Sequence, residues 1–192
     1  KVTVKNYSFE WFSGFSVSQK QKSIDSLHNA ILKTDNSAVP LEVSTKSKNL
    51  LGVKLSAFNL KLDGYTLENI FQSSKVFACG GAYRDLLEVS PKDAKRDLRL
   101  KNSGALKSFD YNGEIFPLFP KTVFYDYIYI KSVKQSLTAE EILQIKEYNY
   151  FTDIEFNPNK SINTQAKSVA IIRLMLDMYD NIPDFSKDDF ID

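Results

Sequence analysis

No stretch constrains the fold of this chain more than Thr66–Phe77, which reads Thr-Leu-Glu-Asn-Ile-Phe-Gln-Ser-Ser-Lys-Val-Phe. Leu67, Ile70, Phe71, Ser74 and Phe77 recur at helical spacing with Thr66 at the N-cap position, which predicts a helix through the segment. Glu68, Gln72 and Lys75 then share a second face at i, i+4 and i+7. Seven residues of helix rise about 10 Å, roughly the width of a nucleoside. A carboxylate, an amide and an amine in one line are the groups that can move a proton around a glycosidic nitrogen. An ordinary amphipathic helix with a solvated polar side has the same spacing, and there Glu68 and Lys75 would only form an exposed helical pair.

The rest of the chain carries further start and stop signals. Lys1–Lys5 alternates like a short strand, and Trp11, Phe12 and Phe15 cluster around Ser13-Gly14 as a loop. That cluster fits a lid, a base-stacking platform or packing onto the core. Ser18-Gln19-Lys20-Gln21 reads as a capping box, with Ile24, Leu27, Ile31 and Leu32 continuing an amphipathic helix. His28 lies beside that stripe and is expected to be packed or at the surface. Leu41–Ser44 and Val53–Leu62 read as extended, with Asp63-Gly64 as a turn, and Gly80-Gly81 closes the central helical region. Ser90 caps a helix with Pro91 in its first position, and Lys92, Lys95, Arg96 and Arg99 give it one basic face. Such a face is either solvated or an anion site.

Asn112-Gly113 between two short runs is a hairpin signal. Thr122–Val133 is apolar nearly all round and reads as a buried helix, and Thr138-Ala139-Glu140-Glu141 opens another. Phe151–Ile162 is a polar and aromatic loop, and Asn163 caps a last helix, Thr164–Tyr179, with Val169, Ile172, Met175, Leu176 and Tyr179 inward. Residues 1–180 are expected to form a single domain and 181–192 an acidic, mobile tail held at most by Phe185 or Phe190.

Composition narrows the function. The 192-residue chain is 43% hydrophobic with 7 Gly and 6 Pro, which excludes a disordered chain. Its net charge of +1 excludes holding nucleic acid by bulk charge, so any such contact needs a local patch. The 10 Tyr and 14 Phe supply both core and stacking surface. The lone Cys79 cannot form an internal disulfide and is expected as a small buried side chain in a reducing, cytoplasmic setting. No Cys/His cluster has zinc-ligand spacing, no organic cofactor is indicated, and no apolar run reaches membrane-spanning length.

Several of these blocks together resemble the NADAR superfamily of YbiA-like proteins. Its Leu-Ser-Asn-Phe element is similar to Leu55-Ser56-Ala57-Phe58, and its Glu-His-x-x-Gln-x-x-Lys element to Glu68 through Lys75. Ala94-Lys95-Arg96 matches a following Ala-Lys-Arg. Asp153, Glu155-Phe156 and Asn163 match an Asp, an aromatic segment and a helix-opening Asn near the end. Phe12–Lys20 and Phe151–Pro158 resemble hallmarks of the branch encoded beside DarT-type DNA ADP-ribosyltransferase toxins. Asn69 stands where the superfamily has His and Ala57 where it has Asn, and its Trp-Gly segment is absent, so the pocket wall is expected to differ.

The resemblance implies a mainly α fold, a single YbiA-like helical domain with a small β-hairpin or short-strand element. It also implies an N-glycosidase that removes ADP-ribose from guanine in DNA and so acts as antitoxin to a DarT-type toxin. On that basis Glu68 is the principal acid/base. Lys75 is an electrostatic partner or an amine nucleophile, Asp153 a second carboxylate, and Glu155 stands behind it. Gln72, Ser56 and Asn163 would hold ribose hydroxyls or phosphate, Arg96 and Lys95 the pyrophosphate, and Trp11, Phe58 or Phe156 a base. The alternatives are a non-catalytic module that binds toxin or ADP-ribosylated DNA, and an N-glycosidase of a small ribosyl-phosphate metabolite of the riboflavin pathway.

Overall fold

The computed structural model describes residues 1–157 and 165–191. In chain order the elements begin with α1 (Val17–Thr34), β1 (Pro40–Glu42) and α2 (Leu50–Lys54). There follow β2 (Lys61–Leu62), β3 (Tyr65–Thr66), α3 (Leu67–Ser73), β4 (Lys75–Phe77) and β5 (Gly80–Gly81). Next come α4 (Pro91–Arg96), α5 (Arg99–Asn102), β6 (Leu106–Tyr111), β7 (Glu114–Phe116) and α6 (Val123–Ser136). The chain closes with α7 (Ala139–Gln144), β8 (Tyr150–Thr152), α8 (Gln165–Tyr179) and α9 (Lys187–Ile191). Among the described residues about 47% are helical and 13% are strand, so the architecture is mixed rather than plainly mainly α. The correction has a local cause: the strands are two to six residues long and leave little periodicity to read. Among the described residues, no helix is long and apolar enough to cross a membrane.

Two compact units form, Lys1–Ser56 with Leu137–Pro183, and Ala57–Ser136 with Asp184–Asp192. In the first, β1 and β8 pair in parallel with Leu41 opposite Phe151 and Glu42 opposite Thr152. α1 contributes buried Ile24 and Ile31, and α8 contributes Val169, Ile172 and Leu176. α2 packs so closely on β1 that a Cβ on Gly52 would lie 2.0 Å from the Glu42 carbonyl oxygen, so only glycine fits. α7 starts with the expected capping box, Thr138 with Glu141.

In the second unit α6 is the centre. Phe124, Ile128, Tyr129, Ile130 and Val133 are all buried, as its all-round apolar sequence predicts. Beside it lies a four-stranded sheet of order β5-β4-β6-β7. Asn112 and Gly113 both take positive φ (52° and 86°) and close the β6–β7 hairpin, as the Asn-Gly pair predicts. A run of rings ties sheet to helices: Phe71 lies 5.4 Å from Phe109, and Phe109 lies 4.6 Å from Phe124. Residues 187–191 form α9 rather than a bare tail, and Phe185 and Phe190 pack on Tyr127 at 5.6 and 5.7 Å.

Several sequence expectations shift. α1 is capped by Ser16, which accepts from Gln19 N, not by Ser18. Lys1–Lys5 forms no strand. Val53–Leu62 is extended only at its end, because Asn49 accepts from Leu51 N and starts α2. Gly80-Gly81 is a strand paired with β4, not a helix end. Cys79 is exposed, and Tyr179 faces outward. Asn163 and Thr164 lie outside the described residues, as do Pro158 and Ile162.

Candidate active site

The Thr66 cap forms as expected, with Thr66 Oγ1 accepting from Asn69 N at 3.2 Å, but the helix is shorter than its pattern. α3 ends at Ser73, and Lys75 opens β4 opposite Phe109. Val76 and Phe77 are β-formers that pair with β6, and sheet pairing overrides the helical spacing of Ser74 and Phe77. Even so, the side chains of Glu68, Gln72 and Lys75 meet. Gln72 Nε2 donates to Glu68 Oε1 at 2.8 Å, and Lys75 Nζ donates to Gln72 Oε1 at 2.7 Å. Only this orientation of the amide gives the lysine an acceptor and the carboxylate a donor.

The polar face is not a solvated one. Glu68 is 5% exposed and Gln72 6%. The other Glu68 oxygen, Oε2, faces Lys95 Nζ of α4 at 3.8 Å, and Lys95 also lies 5.3 Å from the Phe58 ring centroid. Lys75 sits 4.7 Å from the Phe71 ring centroid. Burial pushes its amine down from 10.5 to about 8; the Glu68 charge opposes this and Lys95 adds to it. The result is a lysine that exchanges its proton near neutral pH.

The basic face read along Lys92–Arg99 does not survive as one stripe. α4 stops at Arg96, and Arg99 turns away to Asp85 (2.6 Å) and Asp97 (2.9 Å). Lys95 faces Glu68, whereas Arg96 is exposed on α4.

In the first unit the remaining candidates fall into two groups. Asp153 Oδ1 accepts from Glu155 N and Oδ2 from Gln165 Nε2, both at 3.1 Å. Burial raises its carboxyl to about 7, and the nearby Glu42 charge adds to the rise. Glu155 is exposed and faces Lys20 Nζ at 3.7 Å, while that same Nζ lies 4.7 Å from the Trp11 ring centroid. Phe156 is half-buried, its N–H bonded to the Asp153 carbonyl at 3.1 Å, and Ser56 is buried.

Sequence reasoning missed the group beneath Asp153. Glu42 is 2% exposed; its Oε2 accepts from Thr152 Oγ1 at 2.6 Å and its Oε1 from Ile154 N at 2.8 Å. Burial raises the Glu42 carboxyl despite these bonds. His28 Nε2 lies 2.9 Å from Thr152 Oγ1 and extends this chain of bonds. Burial holds His28 down at about 4, so it stays neutral in this chain of bonds. A lone acidic residue at the end of a three-residue strand carries no local signal, because the β1–β8 pairing that fills its oxygens spans 110 residues.

A family model described as DarT1-associated NADAR antitoxin matches residues 1–192. The chain belongs to this NADAR family. A search of the curated proteins finds no match. Within the NADAR signature, Asn69 in place of His now has a structural reason. Its Nδ2 donates to the carbonyls of Leu86 (2.6 Å) and Val89 (2.9 Å), which fixes the segment leading into α4 and so the base from which Lys95 reaches Glu68.

Proposed function

We propose that this NADAR chain is an N-glycosidase that removes ADP-ribose from guanine in DNA, reversing modification by a DarT-type toxin. The observation that carries the reading is the buried Glu68–Gln72–Lys75 ladder, whose lysine titrates near 8 beside a second cation. Desolvation and a neighbouring ammonium are what an amine nucleophile needs, because both favour the neutral form. An ordinary surface ion pair would neither be buried nor lower its lysine.

The reaction follows from these roles. Lys75 in its amine form attacks C1″ of the ribose, the C1″–O4″ bond opens, and the bond from C1″ to the guanine amine breaks. The two protons lost by the lysine nitrogen end on O4″ and on the departing guanine amine, relayed by Glu68. The lysine is left joined to C1″ as an imine. Water then adds, the C–N bond breaks, and Lys75 returns as an amine while ADP-ribose leaves as an aldehyde that recloses. Gln72 holds the Glu68 carboxylate and Lys75 in register throughout.

The remaining assignments follow the NADAR signature. Lys95 and the exposed Arg96 meet the pyrophosphate and Phe58 offers a face to a base, while Phe156 is the aromatic that the signature assigns in the first unit. Asp153, with a carboxyl near 7, serves as a second proton source, with Glu155 beside it. Trp11 and Ser56, in the first unit, and Asn163 are the further binding residues that the resemblance assigns.

The test is a DNA oligonucleotide carrying ADP-ribose on one guanine, incubated with catalytic amounts of wild type and of Glu68→Gln. Many turnovers by wild type and almost none by the variant are expected, read as free ADP-ribose by mass spectrometry. Stoichiometric binding of modified DNA with no release would replace the enzyme by a binding module. Release only from ribosyl-phosphate metabolites would replace the substrate.

A further inference from the structure

Gly80-Gly81, which the ladder does not use, borders the strand that carries Lys75. The pair forms β5, antiparallel to β4, with Gly81 opposite Val76 and Gly80 opposite Phe77. Both glycines take positive φ, Gly80 at +158° and Gly81 at +95°, so a side chain at either position is strained. What that side chain would meet differs between them. A Cβ on Gly80 would lie 2.4 Å from the Tyr83 hydroxyl, the far end of a side chain that can turn away. A Cβ on Gly81 would lie 2.2 Å from the Lys75 carbonyl oxygen and 3.2 Å from Lys75 C and Val76 Cα, all of them main chain.

Lys75 has little room to yield. On its other side it pairs with Phe109 of β6, and one residue earlier the Ser74 carbonyl accepts from Asp110 N at 2.7 Å. The amine is placed as closely as the main chain. Nζ donates to Gln72 Oε1 at 2.7 Å and lies 4.7 Å from the Phe71 ring centroid, and Glu68 of α3 and Lys95 of α4 are the charges that act on it. A strand without side chains therefore closes on the Lys75 main chain from one side while β6 holds it from the other.

We propose that Gly81 is a positioning residue for Lys75: its missing side chain sets how closely β5 packs on β4, and with it the place where the Lys75 amine meets Gln72. The role rests on the reading of Lys75 as the reacting amine. An added Cβ must drive the Lys75 carbonyl back by about 1 Å, and a misplacement of about that size at a reacting group costs about a hundredfold in rate. Gly80 shares the strand and the positive φ but not the contact with Lys75, so it separates this role from plain support of the sheet.

The experiment compares Gly81→Ala and Gly81→Asn with Gly80→Ala. Asn tolerates positive φ better than most side chains and carries the same Cβ, so it reports the contact with less backbone strain. Folding is checked by thermal melting. The Lys75 amine is then titrated by acetic anhydride labelling across pH, read by mass spectrometry, and cleavage of the ADP-ribosylated oligonucleotide is measured in parallel. The wild-type labelling midpoint should lie at about 8. In the Gly81 variants the amine leaves Gln72 for water, so the midpoint should rise by about one pH unit towards 10.5 and cleavage should fall about a hundredfold. Gly80→Ala should keep the wild-type midpoint and most of the cleavage. Folded Gly81 variants that keep both values overturn the proposal, and so do equal changes in Gly80→Ala. Failure of both Gly81 variants to fold also overturns it, because Gly81 then serves the sheet and not the lysine. If wild type cleaves nothing while the midpoint moves only in the Gly81 variants, the placement of the amine by Gly81 stands and the glycosidase reading falls.

Discussion

Two regions of this chain bury carboxyl groups, and they do so in opposite ways. Around Glu68 the neighbours are an amide donor and an ammonium, with a second lysine one residue further along the ladder. Around Glu42 and Asp153 the neighbours are a hydroxyl, backbone N–H groups, an amide and each other. The first set places positive charge beside the carboxyl, and burial pushes its lysine, Lys75, down to about 8. In the second, burial outweighs the bonds and raises both carboxyls, that of Asp153 to about 7. One region gathers charges of both signs around its carboxyl, whereas the other surrounds its carboxyls with hydrogen-bond donors and, among the described bonds, no cation.

The largest effect that would break this contrast belongs to the ladder. Glu68→Gln keeps the shape and one acceptor but removes the charge, so kcat on modified DNA should fall about a thousandfold with the melting temperature little changed. A fall no greater than that of Asp153→Asn would erase the distinction between the two regions.

The next effect belongs to the other region and is one of stability. The folded Asp153 carboxyl lies at about 7 against an ordinary 3.8, so between pH 4 and 7 the folded chain keeps a proton that the unfolded chain loses. Stability should therefore fall as pH rises through that window. Asp153→Asn, with Gln165 turning its amide, should remove that slope and gain about 3 kcal/mol relative to wild type between pH 4 and pH 8. Urea unfolding at both pH values checks it, and parallel wild-type and variant slopes would contradict it.

Asn69→Ala comes third. It leaves the Leu86 and Val89 carbonyls without their amide donor and should destabilise the chain by about 2 kcal/mol, read as a shift of the urea midpoint. Because the segment it fixes leads into α4, kcat should fall as well, and a stability loss without any change in kcat would separate the staple from the site.

The smallest effect sharpens the role of Lys95. In the proposed mechanism the amine form of Lys75 reacts, so kcat should rise with pH and level off above about 8. Lys95→Ala removes a cation that lowers Lys75, so the rise should move to higher pH, by roughly less than one unit. A shift to lower pH would contradict the electrostatics described for the ladder.

The same contrast explains what could be read from sequence. Caps and turns are local: Thr66, Ser90 with Pro91, Thr138 with Glu141, and Asn112-Gly113 all act where their sequence predicts. Glu68 and Gln72 lie one helical turn apart, so their meeting was legible. Lys75 meets Gln72 as its spacing predicts, but it does so from a strand and not from the helix. Glu42 and His28 were illegible as a site because Thr152, which joins them, is more than a hundred residues away in sequence. The spacing places Lys95 on a basic face that is either solvated or an anion site, and only the packing of α4 beside α3 turns it toward Glu68.

The most direct measurement is to trap the intermediate. Wild-type protein and ADP-ribosylated oligonucleotide are mixed with sodium borohydride and the protein is digested and mapped by mass spectrometry. A reduced ADP-ribose adduct on the peptide containing Lys75, absent from Lys75→Met, is the predicted result. Rapid turnover with no adduct at Lys75 would contradict the amine mechanism on which this account of the ladder depends.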